Sequence, residues 1–289
     1  MALGDIHAVA MAVNNPVAGN LAALNADGQL IDSGSCPSSF ADAPLKQNVT
    51  LYINAVMGSD KNDGLTINTP KQTITGALNT LPSDLGGFTA TIKLFGGTLH
   101  ADTYVVNESR LRNGVICIDG TGMDSGALIV GSLRLAGRCD WELTNVRLKG
   151  NQGGSEKSVV RVETIGGFTM YGTNIIDGNS KLQNGILILS ACATACVYGV
   201  TFTNCAMAVS TVPASYQRRR SVICAIGDCT GTNNDTGIYA SHASLVYDRT
   251  TSTLGTIRRT TIFGGLIVDN SGIFLKNKVS ITPLLTNYY

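Results

Sequence analysis

Apolar and polar positions alternate in short runs along most of the chain, the two-residue period of strands with one buried face. The runs also recur. Leu143-Thr-Asn-Val-Arg-Leu-Lys-Gly-Asn151 is echoed by Met170-Tyr-Gly-Thr-Asn-Ile-Ile-Asp-Gly178 and by Val197-Tyr-Gly-Val-Thr-Phe-Thr-Asn204, at one constant offset. A second line, Ser132-Leu-Arg-Leu135, Val159-Val-Arg-Val162 and Ile186-Leu-Ile-Leu189, repeats at the same offset of 27. Each unit holds at least two short strands separated by Gly, Asn and Asp. One such unit cannot bury its apolar face alone, so units of this size stack. The expected fold is all-β: a right-handed parallel β-helix, a single-stranded solenoid of about 27 residues per rung. From Gly114 to Gly231 this gives a little over four rungs, each rising by about 4.8 Å.

The pattern predicts further strands at Leu51–Asn54, Thr89–Phe95, Gly114–Asp119 and Ala127–Val130, and closing strands at Gly264–Val268 and Gly272–Leu275. Gly237 to Tyr247 resembles the run from Gly185 at an offset of 52, close to two rungs. Pro213 to Arg220 interrupts the register as an outward loop. Its Arg218-Arg-Arg220 run reads as a solvated loop more readily than as a polyanion contact. Between the first two strands the period switches. Thr69 is a candidate N-cap with Pro70 at the first helical position, and Ile74, Ala77, Leu78 and Leu81 fall on one helical face.

Before this pattern begins, residues 1–49 form a separate segment. Around Asp27-Gly28 it reads as two short strands and a turn, too small to stand alone. Residues 50–278 form the solenoid domain. Residues 279–289 are an apolar tail expected to pack on the stack or on a neighbouring subunit.

Composition narrows the classes. The chain has 289 residues, 14% of them charged, with 33 glycines and a net charge of +1. That disfavours disorder and gives no long-range field for nucleic acid or an anionic membrane. No uninterrupted apolar run reaches membrane-spanning length, and the start of the chain lacks a recognisable signal peptide. The eight cysteines are expected as buried core thiols rather than disulfides or metal ligands. Asp60, Asn62 and Asp63 offer oxygens at calcium-loop spacing, but no bidentate Glu follows at the EF-hand position. Turns stabilised by their side chains are the better reading.

Two stretches carry a resemblance. The run GNLAALNADGQLIDSG is similar to a segment near the N-termini of head-fibre and tail-fibre proteins of phages and prophages. The strand, loop and helix from Val49 to Leu81 resemble the opening of the pectate-lyase-like β-helix domain of phage tailspikes, which implies a short capping helix over the first rung, covering apolar surface and strand edges that the open end exposes. The first resemblance implies a virion-docking segment carrying Gly19, Asn20, Leu24, Asp27, Gly28, Asp32 and Gly34. Together they imply a homotrimer located in the virion and made in the host cytoplasm. Its expected partners are a capsid or tail protein and a host surface glycan, with no nucleic acid, no membrane insertion, no cofactor and no metal.

The expected function is that of a structural or attachment protein, with no catalytic residue. The alternative is a tailspike-like depolymerase, a hydrolase or lyase of bacterial surface polysaccharide. Hydrolysis needs two carboxylates across a groove, and a lyase needs a base near acidifying groups. Arg134 and Arg161 should lie one rung apart, with Glu163 on the face of Arg161. A groove using Glu163, Asp177 and Arg161 is the catalytic candidate. An exposed Arg161–Glu163 pair that offsets the stacked arginines is the structural counterpart, and the favoured one. Asp140, Glu142 and Asp228 are the other carboxylates in the repeats, Glu142 turned outward. Trp141 faces a groove or fills a rung corner.

Overall fold

The computed structural model describes residues 22–24, 30–32, 43–100, 110–123, 128–151, 157–189, 192, 194–212, 222–242, 244–269 and 272–274. The chain divides into two compact units, Met1–Pro44 and Leu45–Tyr289. In the first, β1 (Ala22–Leu24) pairs antiparallel with β2 (Leu30–Asp32), Leu24 opposite Leu30 and Ala22 opposite Asp32.

The second unit is a parallel β-solenoid of about five turns and about 26 residues per turn, with almost no helix. One sheet runs β3 (Val49–Asn54), β4 (Thr89–Gly96), β6 (Arg112–Met123), β9 (Arg138–Thr144), β12 (Phe168–Tyr171), β15 (Ala195–Tyr198), β18 (Ile223–Gly227), β21 (Leu245–Arg249), β23 (Leu266–Asp269) and β24 (Gly272–Phe274). All neighbours in it are parallel except β23 and β24. A second sheet holds β5 (Leu99–His100), β7 (Ile129–Val130), β10 (Arg147–Lys149), β13 (Asn174–Asp177), β16 (Val200–Thr203) and β19 (Thr230–Thr232). The third holds β8 (Leu133–Leu135), β11 (Ser158–Val162), β14 (Asn184–Leu189), β17 (Met207–Val212), β20 (Thr236–Ser241) and β22 (Ile257–Ile262).

Register follows the repeat. Leu143 pairs with Met170 and Met170 with Val197, as the constant offset requires. The second line slips by one position, because Ile186 pairs with Val160 and not with Val159. Inward positions stack as Ile116, Trp141, Phe168 and Ala195 in one column and Ile118, Leu143, Met170 and Val197 in the next, all buried. Burying a large side chain of this kind contributes about 1.5–3 kcal/mol.

The turn from the ten-stranded sheet into the β5–β19 sheet explains the Asn/Gly signal of the repeat. Asn145, Gly172, Gly199 and Asp228 occupy it on successive rungs, all at positive φ. Gly, Asn and Asp adopt that conformation at least cost. Inside, Asn174 Oδ1 accepts the Val146 N–H at 3.0 Å and Nδ2 donates to Tyr171 O at 2.7 Å. At the next bend, out of the β5–β19 sheet, Asn234 does the same for Cys205 N–H and Phe202 O at 2.8 and 3.0 Å. These amides satisfy backbone groups that the bends remove from the ladders.

The capping helix α1 is Ile74–Leu78, and its N-cap is Thr73 rather than Thr69. The cause lies in the preceding residues, which cover the free edge of β3. Lys71 N–H donates to Tyr52 O and Asn54 N–H to Lys71 O, both at 2.9 Å, while Tyr52 N–H reaches Gly64 O at 2.8 Å. A chain extended at Lys71 cannot already be helical. Ile74, Ala77, Leu78 and Leu81 are buried, as their spacing predicts. Asp60 accepts the N–H groups of Gln72 and Thr73 at 3.0 and 2.9 Å and the Thr73 hydroxyl at 2.8 Å. Asp63 accepts Leu65 N–H at 3.0 Å and the Thr69 hydroxyl at 2.8 Å. The hydroxyl of Thr69, then the Leu65 N–H, hold the Asp63 carboxyl below its ordinary value of 3.8. The acidic loop is thus a set of side-chain turns.

Of the seven described cysteines, six are buried and Cys196 is partly exposed, all with free thiols. Cys205 and Cys229 follow positive-φ corner residues, and their thiols face Thr203 O and Gly227 O at 3.3 and 3.2 Å. Arg218, Arg219, Arg220, Cys36 and the tail 279–289 lie outside the described residues.

Candidate functional site

Arg134 on β8 and Arg161 on β11 are register partners, outward between buried neighbours Leu133, Leu135, Val160 and Val162. Glu163 follows β11, and its N–H donates to Leu135 O at 2.8 Å. That bond sets its side chain between the two guanidiniums. Oε2 takes Arg134 Nε, and Oε1 takes Arg161 Nε at 2.6 Å. The Glu163 side chain is 15% exposed against 33% and 32% for the arginines. Each carboxylate oxygen therefore already holds a charge-assisted bond. The same ion pairs cancel the repulsion of two arginines stacked at rung spacing.

Asp177 is not part of this group. It ends β13 in another sheet, where Oδ1 accepts Asn179 N–H at 2.9 Å and the Asn204 amide at 3.2 Å. The structure brings Arg134, Arg161 and Glu163 together and leaves Asp177 to a turn. Asp140 accepts Gly167 N–H at 2.7 Å, and Asp228 is a positive-φ corner. Trp141 is fully buried and donates its indole N–H to Ala136 O at 3.0 Å, so it fills the core rather than a groove.

A second polar group lies on the outward face of the ten-stranded sheet. Cys117 and Glu142 are register partners, and the Tyr171 hydroxyl donates to Glu142 Oε2 at 3.3 Å. Tyr171 is pushed up to about 12, first by burial of its hydroxyl end, then by Cys117 and Glu142. The Cys117 thiol rises to about 11 through burial and then through the charges of Glu142 and Asp119. Asp119 is held by Thr121 and faces Lys93 at 3.6 Å. Two rungs beyond Glu142, Tyr198 pairs with Gly227, and its ring takes the space that a side chain there would fill, 2.4 Å from an added Cβ. Tyr171 and Tyr247 are 41% and 39% exposed. This face presents aromatic rings and a carboxylate with one long hydrogen bond, a surface suited to polar ligands with apolar faces. Sequence reasoning turned Glu142 outward but missed the tyrosines around it. Their signal was the Tyr-Gly pair at the repeat corner, where Gly marks the turn and Tyr the outward position before it.

Of the proposed docking residues, Leu24 and Asp32 lie in the β1–β2 pair, while Gly19, Asn20, Asp27, Gly28 and Gly34 lie outside the described residues.

No protein-family model matches the chain, and no curated protein does. Among solved structures it is similar to the GH136 lacto-N-biosidase from Eubacterium ramulus. The native protein gives a TM-score of 0.25 at 11% identity, covering 75% of this chain and 67% of that one. The selenomethionine derivative gives 0.24 at 10% identity, covering 74% and 67%.

Proposed function

We propose that this chain is a structural and attachment protein of a phage or prophage particle, whose N-terminal segment docks on the capsid or tail and whose solenoid projects as a shaft. One observation carries the reading: both oxygens of Glu163 are bound by Arg134 and Arg161. A general acid or base needs an oxygen within reach of the substrate, and here reaching it means breaking a charge-assisted pair. The charges of this group thus serve the stack. The N-terminal run GNLAALNADGQLIDSG supplies the docking assignment, and the resemblance supplies a homotrimer within the virion. The outward tyrosines of the ten-stranded sheet are the face for a host glycan.

The test is a particle assembled with the chain lacking residues 1–44. Incorporation should be lost, while β-rich circular dichroism of the isolated protein is retained. Particles that still carry the truncated chain would end the docking assignment.

A second reading, a depolymerase of surface polysaccharide, is favoured by the lightly held carboxylate of Glu142 beside Tyr171. Incubation with host-surface polysaccharide separates the two. Release of reducing ends or unsaturated uronate, abolished by Glu142→Gln, supports the enzyme, and intact polysaccharide supports the attachment protein.

A further inference from the structure

The interior of the solenoid changes chemistry near its C-terminal end. In the ten-stranded sheet an inward column runs Leu143, Met170, Val197, Ile226 and then Asp248, each the register partner of the one before. In the β8–β22 sheet the facing column runs Leu133, Val160, Ile186, Val209, Ile238 and then Arg259. The two charged residues meet. Arg259 Nε donates to Asp248 Oδ2 at 2.7 Å, Nη2 bonds the same oxygen, and Nη1 pairs with Asp269 on β23. Asp248 Oδ1 accepts the N–H and hydroxyl of Thr250 at 2.9 and 2.5 Å. The side chains of Asp248, Arg259 and Asp269 are 0%, 9% and 13% exposed.

Three other features mark the same rungs. They are shorter: the steps from Ile226 to its partner Asp248 and from Ile238 to Arg259 fall below the step from Leu143 to Met170. Among the described residues the β5–β19 sheet has no strand after β19, so these rungs lack one side of the ladder. At the corner before β23, Phe263 has φ 47 and its ring lies 4.7 Å from that of His242, itself at φ 50. A bulky aromatic at positive φ is strained backbone. Fewer ladder bonds and a strained corner favour opening of this segment before the rest of the structure. An ion cluster bridging two sheets resists the first separation, because until water reaches the opened end each charge is buried away from its partner.

We infer that Asp248, Arg259 and Asp269 form an ionic latch that closes the last rungs, β21 to β23, so that this end opens and recloses as a unit on a rigid shaft.

Hydrogen exchange of the intact protein, read strand by strand, tests this. Amides of β21, β22 and β23 should exchange together, ahead of those of β9, β12 and β15. Arg259→Met removes the guanidinium that Asp248 and Asp269 share, with Arg258 at 3.9 Å still beside Asp248, and should speed exchange in β21 to β23 on the order of a hundredfold, leaving β9 to β15 unchanged. Combining it with Asp248→Leu and Asp269→Asn removes the charges together and should return the rate to within about tenfold of the original. Acceleration spread evenly along all strands, or none, overturns the latch. If Arg259→Met is not recovered folded, Asp269→Asn takes the same test with the same two outcomes.

Discussion

The carboxylate of Glu163 reaches back one rung to the guanidinium of Arg134 while holding that of Arg161 on its own strand. Removing its charge by Glu163→Gln takes away the anion that the two stacked arginines share. Because the arginines are about one-third exposed, solvent weakens the effect, and the loss should be about 1 kcal/mol. Urea unfolding measures it as a lower midpoint. With Glu163 read as an ion-pair residue, any polysaccharide-cleaving activity should be unaffected by this substitution.

Trp141 is the largest side chain among those fully buried, stacked between Ile116 and Phe168. Trp141→Ala opens a cavity inside the column and leaves Ala136 O without its donor. The expected cost is about 3–5 kcal/mol, read from chemical denaturation. The fluorescence of this single tryptophan should shift to the red only as the rungs unfold.

Gly199 sits at φ +68 with the space for a Cβ 2.3 Å from Gly172 O. Gly199→Ala therefore meets both a backbone penalty of about 1–2 kcal/mol and a clash with the rung below. Its melting temperature should fall. Gly87→Ala, at φ +84 with nothing within 4 Å, shares the penalty without the clash and should fall less.

Burial pushes the thiols of Cys139, Cys192 and Cys205 up from 9.0 to about 12. A group that holds its proton more tightly folded than unfolded adds stability below its unfolded value and loses it as pH rises toward the folded one. Melting temperatures should thus decline between about pH 9 and 12. Alkylation at pH 8 should mark Cys196 first among the described cysteines, and the buried ones only on unfolding.

The repeat made the shaft legible because a stacked rung forces equivalent residues to recur. Leu143, Met170 and Val197 are partners at the spacing read from the chain, and Gly185 and Gly237 do lie two rungs apart, with Ile186 meeting Val209 and Val209 meeting Ile238. What failed were features set by long-range competition. The one-position slip at Ile186 comes from a connection whose length periodicity does not encode. Thr69 has the chemistry of an N-cap, but the edge of β3 claimed the residues after it. Of the candidate site, the Arg134–Arg161 stack and its carboxylate were visible in one strand line. The grouping of Cys117, Glu142 and Tyr171 was not, because three strands far apart in sequence build it. The Asp248–Arg259 pair was hidden for the same reason, since each residue looks like an ordinary outward charge in its own strand.

The bend from the ten-stranded sheet into the β5–β19 sheet is short and nearly constant on four successive rungs: 145–146, 172–173, 199 and 228–229. The connections from β11, β14 and β17 into the ten-stranded sheet take 163–167, 190–194 and 213–222. One edge of the prism therefore keeps count while the others absorb changes of length. New loops can be grafted onto those edges without shifting a single core partner, and a whole turn can be duplicated or lost with the seam intact. Such a solenoid can vary its loops and its number of turns while its framework stays the same.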